Sequence, residues 1–550
     1  RWGGTLADVL RHALPARTVD VERRAADAGW FPAAERAVAP PAPRPEAWER
    51  YGQSGSALVD AVTDGTGAFV WRPLADDDVA ARIAELVRVC LAGDRDVLVV
   101  TGDPVSPVAD AVVAAAGDLA VDARAAASPR VTYRRWLQAR TGYARVVVGT
   151  RSVALWPLAK PGLTIVLDEA NPAHKERRSP RHHVREIALE RARRTNGVAL
   201  LVGTVASAAT WRLLVEGRVT PVAADRQTER AAAPQVAVDD RPSGRIGRPA
   251  LQALRTAVEE GSYGIVLATR RGEGRALACR KCGGALRCPT CANTIAPAGA
   301  GVLCEGCGWK QHRRPHCPSC HEPDPWVPLA AGAQRLGQEL ARSLPKAQVH
   351  VLEGHAAEIP PPPAVLVMTR GSVLDAPPGP VGALVLPDVD ALTRRPVLDA
   401  DEDALRLCTT MASWVTRSGT GARGSDDAAR VVVQTREPEH AVVQALVRWD
   451  PSGYWRIEAP KRAELGFPPS AHAVRIDAPA AISADVGAVL EEALKGVAQL
   501  LGPLREDGRA RWLCKTPDRR ALLAALHESR VVWSKSGADV RLDVDPVEVL

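Results

Sequence analysis

Short apolar runs alternate with helix-patterned stretches from about residue 51 onward. The first runs are Asp96 to Val100, Arg145 to Val148, Thr164 to Leu167 and Val198 to Val202, each closed by small or polar residues. Runs this short and this continuously apolar predict strands covered on both faces, the signature of a parallel α/β sheet. A second series follows at Gly264 to Ala268, Val349 to Leu352, Ala364 to Met368, Ala383 to Leu386 and Val431 to Gln434. A cysteine-rich block interrupts it, which predicts a second α/β domain carrying an insertion. Residues 1–36 read as amphipathic helix, and Pro40, Pro41, Pro43 and Pro45 as a stiff linker. The segments 241–248, 360–363 and 418–430 read as surface loops. Beyond Phe467-Pro468-Pro469 the pattern changes to short strands plus a long Ala/Leu helix from about Ile482 to Leu501, predicting an α+β C-terminal domain. The expected boundaries are 1–50 for the helical segment and linker, 51–235 for lobe 1, 236–278 with 328–465 for lobe 2, 279–327 for the insertion and 466–550 for the C-terminal domain.

Composition narrows the classes. The chain has 550 residues, 46% apolar and 25% charged, with no apolar run long enough to span a bilayer, so a membrane protein is not expected. The formal charge is +7, and 62 of the 71 basic residues are Arg, a side chain suited to phosphate. No basic-plus-apolar leader precedes a cleavage site, and the opening at Arg1 reads as an internal start.

Cysteine usage is more specific. Eight of eleven cysteines form four CxxC units: Cys279/Cys282, Cys288/Cys291, Cys304/Cys307 and Cys317/Cys320. Two such units make one tetrahedral four-thiolate zinc site, so eight thiolates predict two zinc ions. Five residues separate Cys282 from Cys288, too few for adjacent knuckles to face each other, whereas twelve separate Cys291 from Cys304, enough for a β-hairpin. This favours nesting, with Cys288, Cys291, Cys304 and Cys307 as the inner site and Cys279, Cys282, Cys317 and Cys320 as the outer. Disulfides are the alternative, but clustering in a chain without a leader points to a reducing, cytoplasmic compartment. Sites closed by four thiolates are structural rather than catalytic.

The run CRKCGG, CPTC, CEGCG and CPSC after Arg270-Arg271-Gly272 resembles the zinc module of the PriA family of replication-restart proteins. The likeness extends to Gly149-Thr150-Arg151-Ser152 with Trp156-Pro157, Leu167-Asp168-Glu169, Asp388-Val389-Asp390, Phe467-Pro468-Pro469 and Asp543-Val544-Asp545-Pro546. The resemblance implies two RecA-like lobes, the zinc insertion within the second, and a C-terminal domain. It also implies an ATP-driven motor, and here the residues depart from the family. No GK[ST] occurs anywhere, and the phosphate-loop position reads Phe69-Val70-Trp71-Arg72-Pro73-Leu74-Ala75-Asp76, with Asp77 and Asp78 adding negative charge. Asp168 and Glu169 are then remnants of the carboxylates that would serve Mg2+. Trp414 replaces one arginine of the family's finger segment, and Arg417 persists. ATP and Mg2+ are therefore not expected as cofactors.

DNA contacts are expected from the basic loop, at Lys175, Arg177, Arg178, Arg181 and His183, and from the zinc hairpin, at Lys310, Arg313 and Arg314. The resemblance further implies a replication-restart role: recognising abandoned forks and branched or single-stranded DNA, and assembling primosome and helicase-loading proteins, here without unwinding. It places the family's N-terminal DNA-end-binding domain before Arg1. Two other readings stand beside this one: an ATP-dependent 3′-to-5′ helicase, and a zinc-ribbon platform without DNA affinity of its own.

Overall fold

The computed structural model describes the chain apart from residues 1–5, 31–45, 243, 270–276, 283–285, 291–294, 305–308, 329–331, 353–358, 396, 416–429, 507 and 547–550. The first sheet has seven strands: β1 (Gly67–Trp71), β2 (Asp96–Val100), β3 (Ala120–Ala123), β4 (Val146–Gly149), β5 (Pro161–Val166), β6 (Val198–Val202) and β7 (Thr220–Val222). All its pairings are parallel, in the order β3-β4-β2-β5-β6-β1-β7. Successive side chains point to opposite faces. Phe69, Trp71, Val97 and Val99 accordingly enter one core, while Val70, Leu98 and Val100 enter another. Both cores are covered by helices, which is why the strands read as unbroken apolar runs.

The second sheet joins β8 (Val236–Asp239), β9 (Tyr263–Ala268), β15 (Val349–Leu352), β16 (Ala364–Thr369), β17 (Val381–Leu386) and β18 (Val431–Gln434) in the order β15-β16-β9-β17-β18-β8, again all parallel. Between β9 and β15 the chain leaves the lobe. This excursion contains β10 (Leu277–Cys279), β11 (Ile295–Ala298), β12 (Gly301–Cys304), β13 (Lys310–Gln311) and β14 (Trp326–Pro328). The C-terminal domain is an antiparallel sheet of β19 (His472–Pro479), β20 (Gln499–Glu506), β21 (Arg509–Thr516) and β22 (Arg541–Val544), ordered β20-β21-β19-β22 and packed on two helices.

Two expectations are corrected. The N-terminal helix is broken into Leu6–Ala13 and Val19–Asp27, because Pro15 lies between them and cannot donate to a continuing ladder. The long C-terminal helix stops at Ala493. Gly496 takes a left-handed φ of 74° there, and Leu500 and Leu501 continue into edge strand β20.

The lobes share a core. Val205 and Ala208 of the first lobe belong to the cluster that also holds Trp455, Leu405 and Met411 of the second. Trp455 Nε1 donates to the Ala206 carbonyl at 2.8 Å.

Candidate functional sites

In a phosphate loop, backbone N–H groups at the start of the helix after β1 point at the ligand. Here that corner is filled by the chain itself. Asp78 caps the helix Val79–Ala92, its carboxylate accepting from Ala81 N at 2.9 Å. Tyr51, from the 3-10 turn Glu46–Tyr51, accepts from Leu74 N at 2.9 Å and donates to Asp77. Arg50 bridges Asp76 at 2.9 Å and Asp77 at 3.1 Å. Burial raises the Asp77 carboxyl against the pull of Tyr51 and Arg50, and burial beside Asp77 raises the Tyr51 phenol. Arg72 is paired with Glu229 and reaches Ser452 Oγ at 3.1 Å. These residues do not fit a nucleotide: Leu74 N and Ala81 N already have acceptors within the chain, and Asp76, Asp77 and Asp78 bring negative charge to the corner where a triphosphate would need donors.

The carboxylates after β5 are likewise committed. Glu169 is buried and accepts from Arg185 at 2.9 Å, Ser207 N at 2.8 Å and Ser207 Oγ at 3.0 Å. Asp168, at a left-handed φ of 48°, accepts from Arg406 at 2.7 Å and Asn171 at 3.1 Å. Trp414 is buried in the second lobe's core, and Arg417 lies outside the described residues.

The cysteine module is built differently. Antiparallel pairing of β10 with β14 sets Cys279 opposite Trp326, and the chain returns through Cys317 N bonded to Glu322 O at 3.0 Å. The sulfurs of Cys279, Cys282, Cys317 and Cys320 then lie within 4.8 Å of one another, a group that could hold a metal ion. Sγ–Sγ separations of 3.5 Å, for Cys279 to Cys320 and Cys282 to Cys317, are far beyond a disulfide and near the ~3.8 Å edge of a tetrahedron with ~2.3 Å zinc–sulfur bonds. Burial opposes a thiolate at Cys317. Amides of Cys320 and Ser319 and the neighbouring thiols outweigh it and lower the group to about 6. Of the inner four, Cys288 and Cys304 are buried in the module's core, with Cys304 on the β11–β12 hairpin. Cys291 and Cys307 lie outside the described residues.

The basic loop differs from its sequence reading. Lys175 is 7% exposed, bonded to the Val544 and Asp545 carbonyls and 3.1 Å from Asp543. Burial lowers its ammonium, with Asp543 pulling the other way. Arg181 pairs with Asp543 at 3.5 Å. His183 caps the helix Val184–Thr195, its Nδ1 accepting from Arg185 N at 3.2 Å. Burial and the adjacent Arg185 push its pKa well below the ordinary value, so it is a neutral cap rather than a phosphate cation. Lys175 and Arg181 are thus corrected from solvent-facing contacts to parts of an interdomain seam with Asp543, and His183 to a helix cap within the first lobe. Arg212 with His472 Nδ1 at 3.1 Å and Arg519 with Glu186 at 4.0 Å extend it. Arg177 and Arg178 remain exposed, as do Lys310 and Arg313 on the cysteine module; Arg314 is half-buried, 4.0 Å from Asp324. Arg280 and Arg287 are further exposed cations of this module that the sequence reading passed over; their place beside Cys279 and Cys288 was the available signal.

Comparison with known proteins follows the same outline. The model described as Primosomal protein N C-terminal domain matches residues 463–547. The "Probable replication restart protein PriA" of Mycobacterium bovis is 35% identical over 528 residues, 92% of this chain and 78% of the relative. The "Replication restart protein PriA" of Synechocystis is 25% identical over 76% of this chain and 54% of the relative. A solved structure of Saccharomyces cerevisiae Dbp5 bound to RNA and ADP BeF3 is similar at TM-score 0.39 and 11% identity, covering 75% of this chain and 93% of that one. Identity at this level along nearly the whole chain shows that it belongs to the replication restart protein PriA family.

Proposed function

We propose that this chain recognises abandoned forks and other branched or single-stranded DNA, and nucleates primosome assembly there by binding rather than by ATP-driven unwinding. The observation that carries this reading is the corner after β1, where Asp78, Tyr51 and Arg50 make the contacts that a nucleotide's phosphates would need. Asp168 and Glu169 support it, since both are bonded to arginines. Zinc is the metal we assign to the outer quartet, on the grounds of four sulfur donors at tetrahedral spacing. A second zinc is assigned to the inner four.

DNA would meet Arg177 and Arg178 on the loop, and Lys310, Arg313 and Arg314 on the zinc module. Helicase-loading proteins would be recruited to the complex in the cytoplasm. Among the described residues no helix is long and apolar enough to cross a membrane.

Gel-shift titrations against forked, duplex and single-stranded DNA at several salt concentrations test the reading. Forks should bind most tightly without nucleotide. Replacing Arg177 and Arg178 together by Ala should reduce the slope of log affinity against log salt by about 2, one per lost phosphate contact. An absence of DNA binding would leave the zinc-platform reading in its place.

A further inference from the structure

The carboxylate that would meet a catalytic cation in a motor has a different partner here. Asp168 follows the last residues of a first-lobe strand, and its ligand is Arg406, on the second-lobe helix Ala400–Ser413. The guanidinium divides between the lobes. Nη1 takes Asp168 at 2.7 Å, and Nη2 takes Asp403, on its own helix, at 2.9 Å. Asp403 in turn is held by Arg395 at 2.9 Å. The pair is largely withdrawn from water, the Asp168 and Arg406 side chains being 20% and 11% exposed. A desolvated, geometrically matched ion pair of this kind is costly to separate, because opening leaves charge without a partner.

Three other contacts bridge the same seam. The Thr204 and Thr410 hydroxyls are 2.9 Å apart, Trp455 Nε1 holds the Ala206 carbonyl, and the Trp211 and Trp455 rings stack with centroids 6.1 Å apart. A nucleotide-driven motor needs this seam to open and close on each cycle, with its Mg2+-facing carboxylate returned to the ligand every time. Here the carboxylate is itself a fastener.

We infer that Asp168 and Arg406 form an interlobe clamp that holds the two lobes in one fixed arrangement, so that the DNA-facing surface is set without nucleotide. Arg406 is on this view a positioning residue. The inference rests on the reading that this chain binds forks without ATP turnover.

Hydrogen–deuterium exchange on the full chain tests it, comparing wild type, Asp168→Asn, Arg406→Gln, the double variant and Arg406→Lys, with metal content checked in each. The clamp predicts that exchange in peptides covering 203–211 and 449–458 rises by about tenfold or more in either charge-removing variant, as expected when a subglobal opening becomes easier. The double variant should exchange no faster than the worse single one, since both remove the same contact. Arg406→Lys should restore part of the protection, and a nonhydrolysable ATP analogue with Mg2+ should change nothing in wild type.

Unchanged protection in Asp168→Asn, fully additive effects, or nucleotide-dependent exchange in wild type would each overturn the clamp. Should Arg406→Gln fail to fold, the near-isosteric Asp168→Asn and the wild-type nucleotide comparison still decide. A separate fork titration of wild type keeps the two claims apart: protected seams without fork binding would refute the proposed function and leave the clamp standing.

Discussion

The corner after β1 and the outer cysteine quartet are two concentrations of polar groups with opposite logic. In the first, donors and acceptors answer one another: Asp78 takes Ala81 N, Tyr51 takes Leu74 N, and Arg50 neutralises Asp76 and Asp77. In the second, four sulfurs converge with little to offer each other, and thiolates so close would repel without a cation between them. A polar cluster that satisfies itself has no use for a ligand, whereas one that cannot do so calls for one. Here the corner after β1 falls in the first class and the cysteine quartet in the second.

The largest effect should come from removing metal. Chelation, or Cys317→Ser, should unfold the module around 277–328, because binding free energy on the order of 10 kcal/mol is its folding free energy. Metal analysis together with hydrogen exchange would register this. Retention of module protection after complete metal loss would break the contrast.

The seam around Lys175 belongs with the self-satisfied class, so its disruption should be next. Lys175→Ala leaves the Asp543 carboxylate and the Val544 and Asp545 carbonyls without this donor and should cost roughly 3–5 kcal/mol, releasing the C-terminal domain to limited proteolysis.

Asp375 provides a pH test of the lobe contact. It accepts from Ser106 of the first lobe, and burial raises its carboxyl to about 6. Between its ordinary value of 3.8 and about 6 the native state keeps a proton that the unfolded chain has lost, so this group's contribution to stability falls as pH rises through that window. Asp375→Asn should remove that slope, an effect on the order of 1–2 kcal/mol after allowance for the residue's partial exposure. Urea denaturation of both proteins from pH 4.5 to 7 measures it. The smallest expected effect is at the helix cap: Asp78→Ala should cost about 1 kcal/mol, and added phosphate should not restore it in thermal melts.

How much of this was legible in the sequence depends on the range of the interactions. Val198–Val202 and Val431–Gln434 announce themselves because a strand buried on both faces must be continuously apolar. The cysteine quartet is legible because ligand spacing is a local rule. Lys175 is not, since its partners lie about 370 residues further along and a charged residue in a polar loop looks the same whether solvated or docked. Asp543 and Asp545 stood out as a motif, but nothing in one sequence links Asp543 to Lys175 and Arg181 of the loop. Arg406 was invisible for the same reason: its chemistry exists only once two lobes meet.

The most direct test of the central claim is an equilibrium titration of the full chain with ATP and Mg2+ in the presence of forked DNA, paired with a phosphate-release assay. A corner filled by its own side chains predicts no saturable binding up to millimolar nucleotide and no turnover above background. Saturable binding with DNA-stimulated hydrolysis that is lost in Glu169→Gln would contradict it.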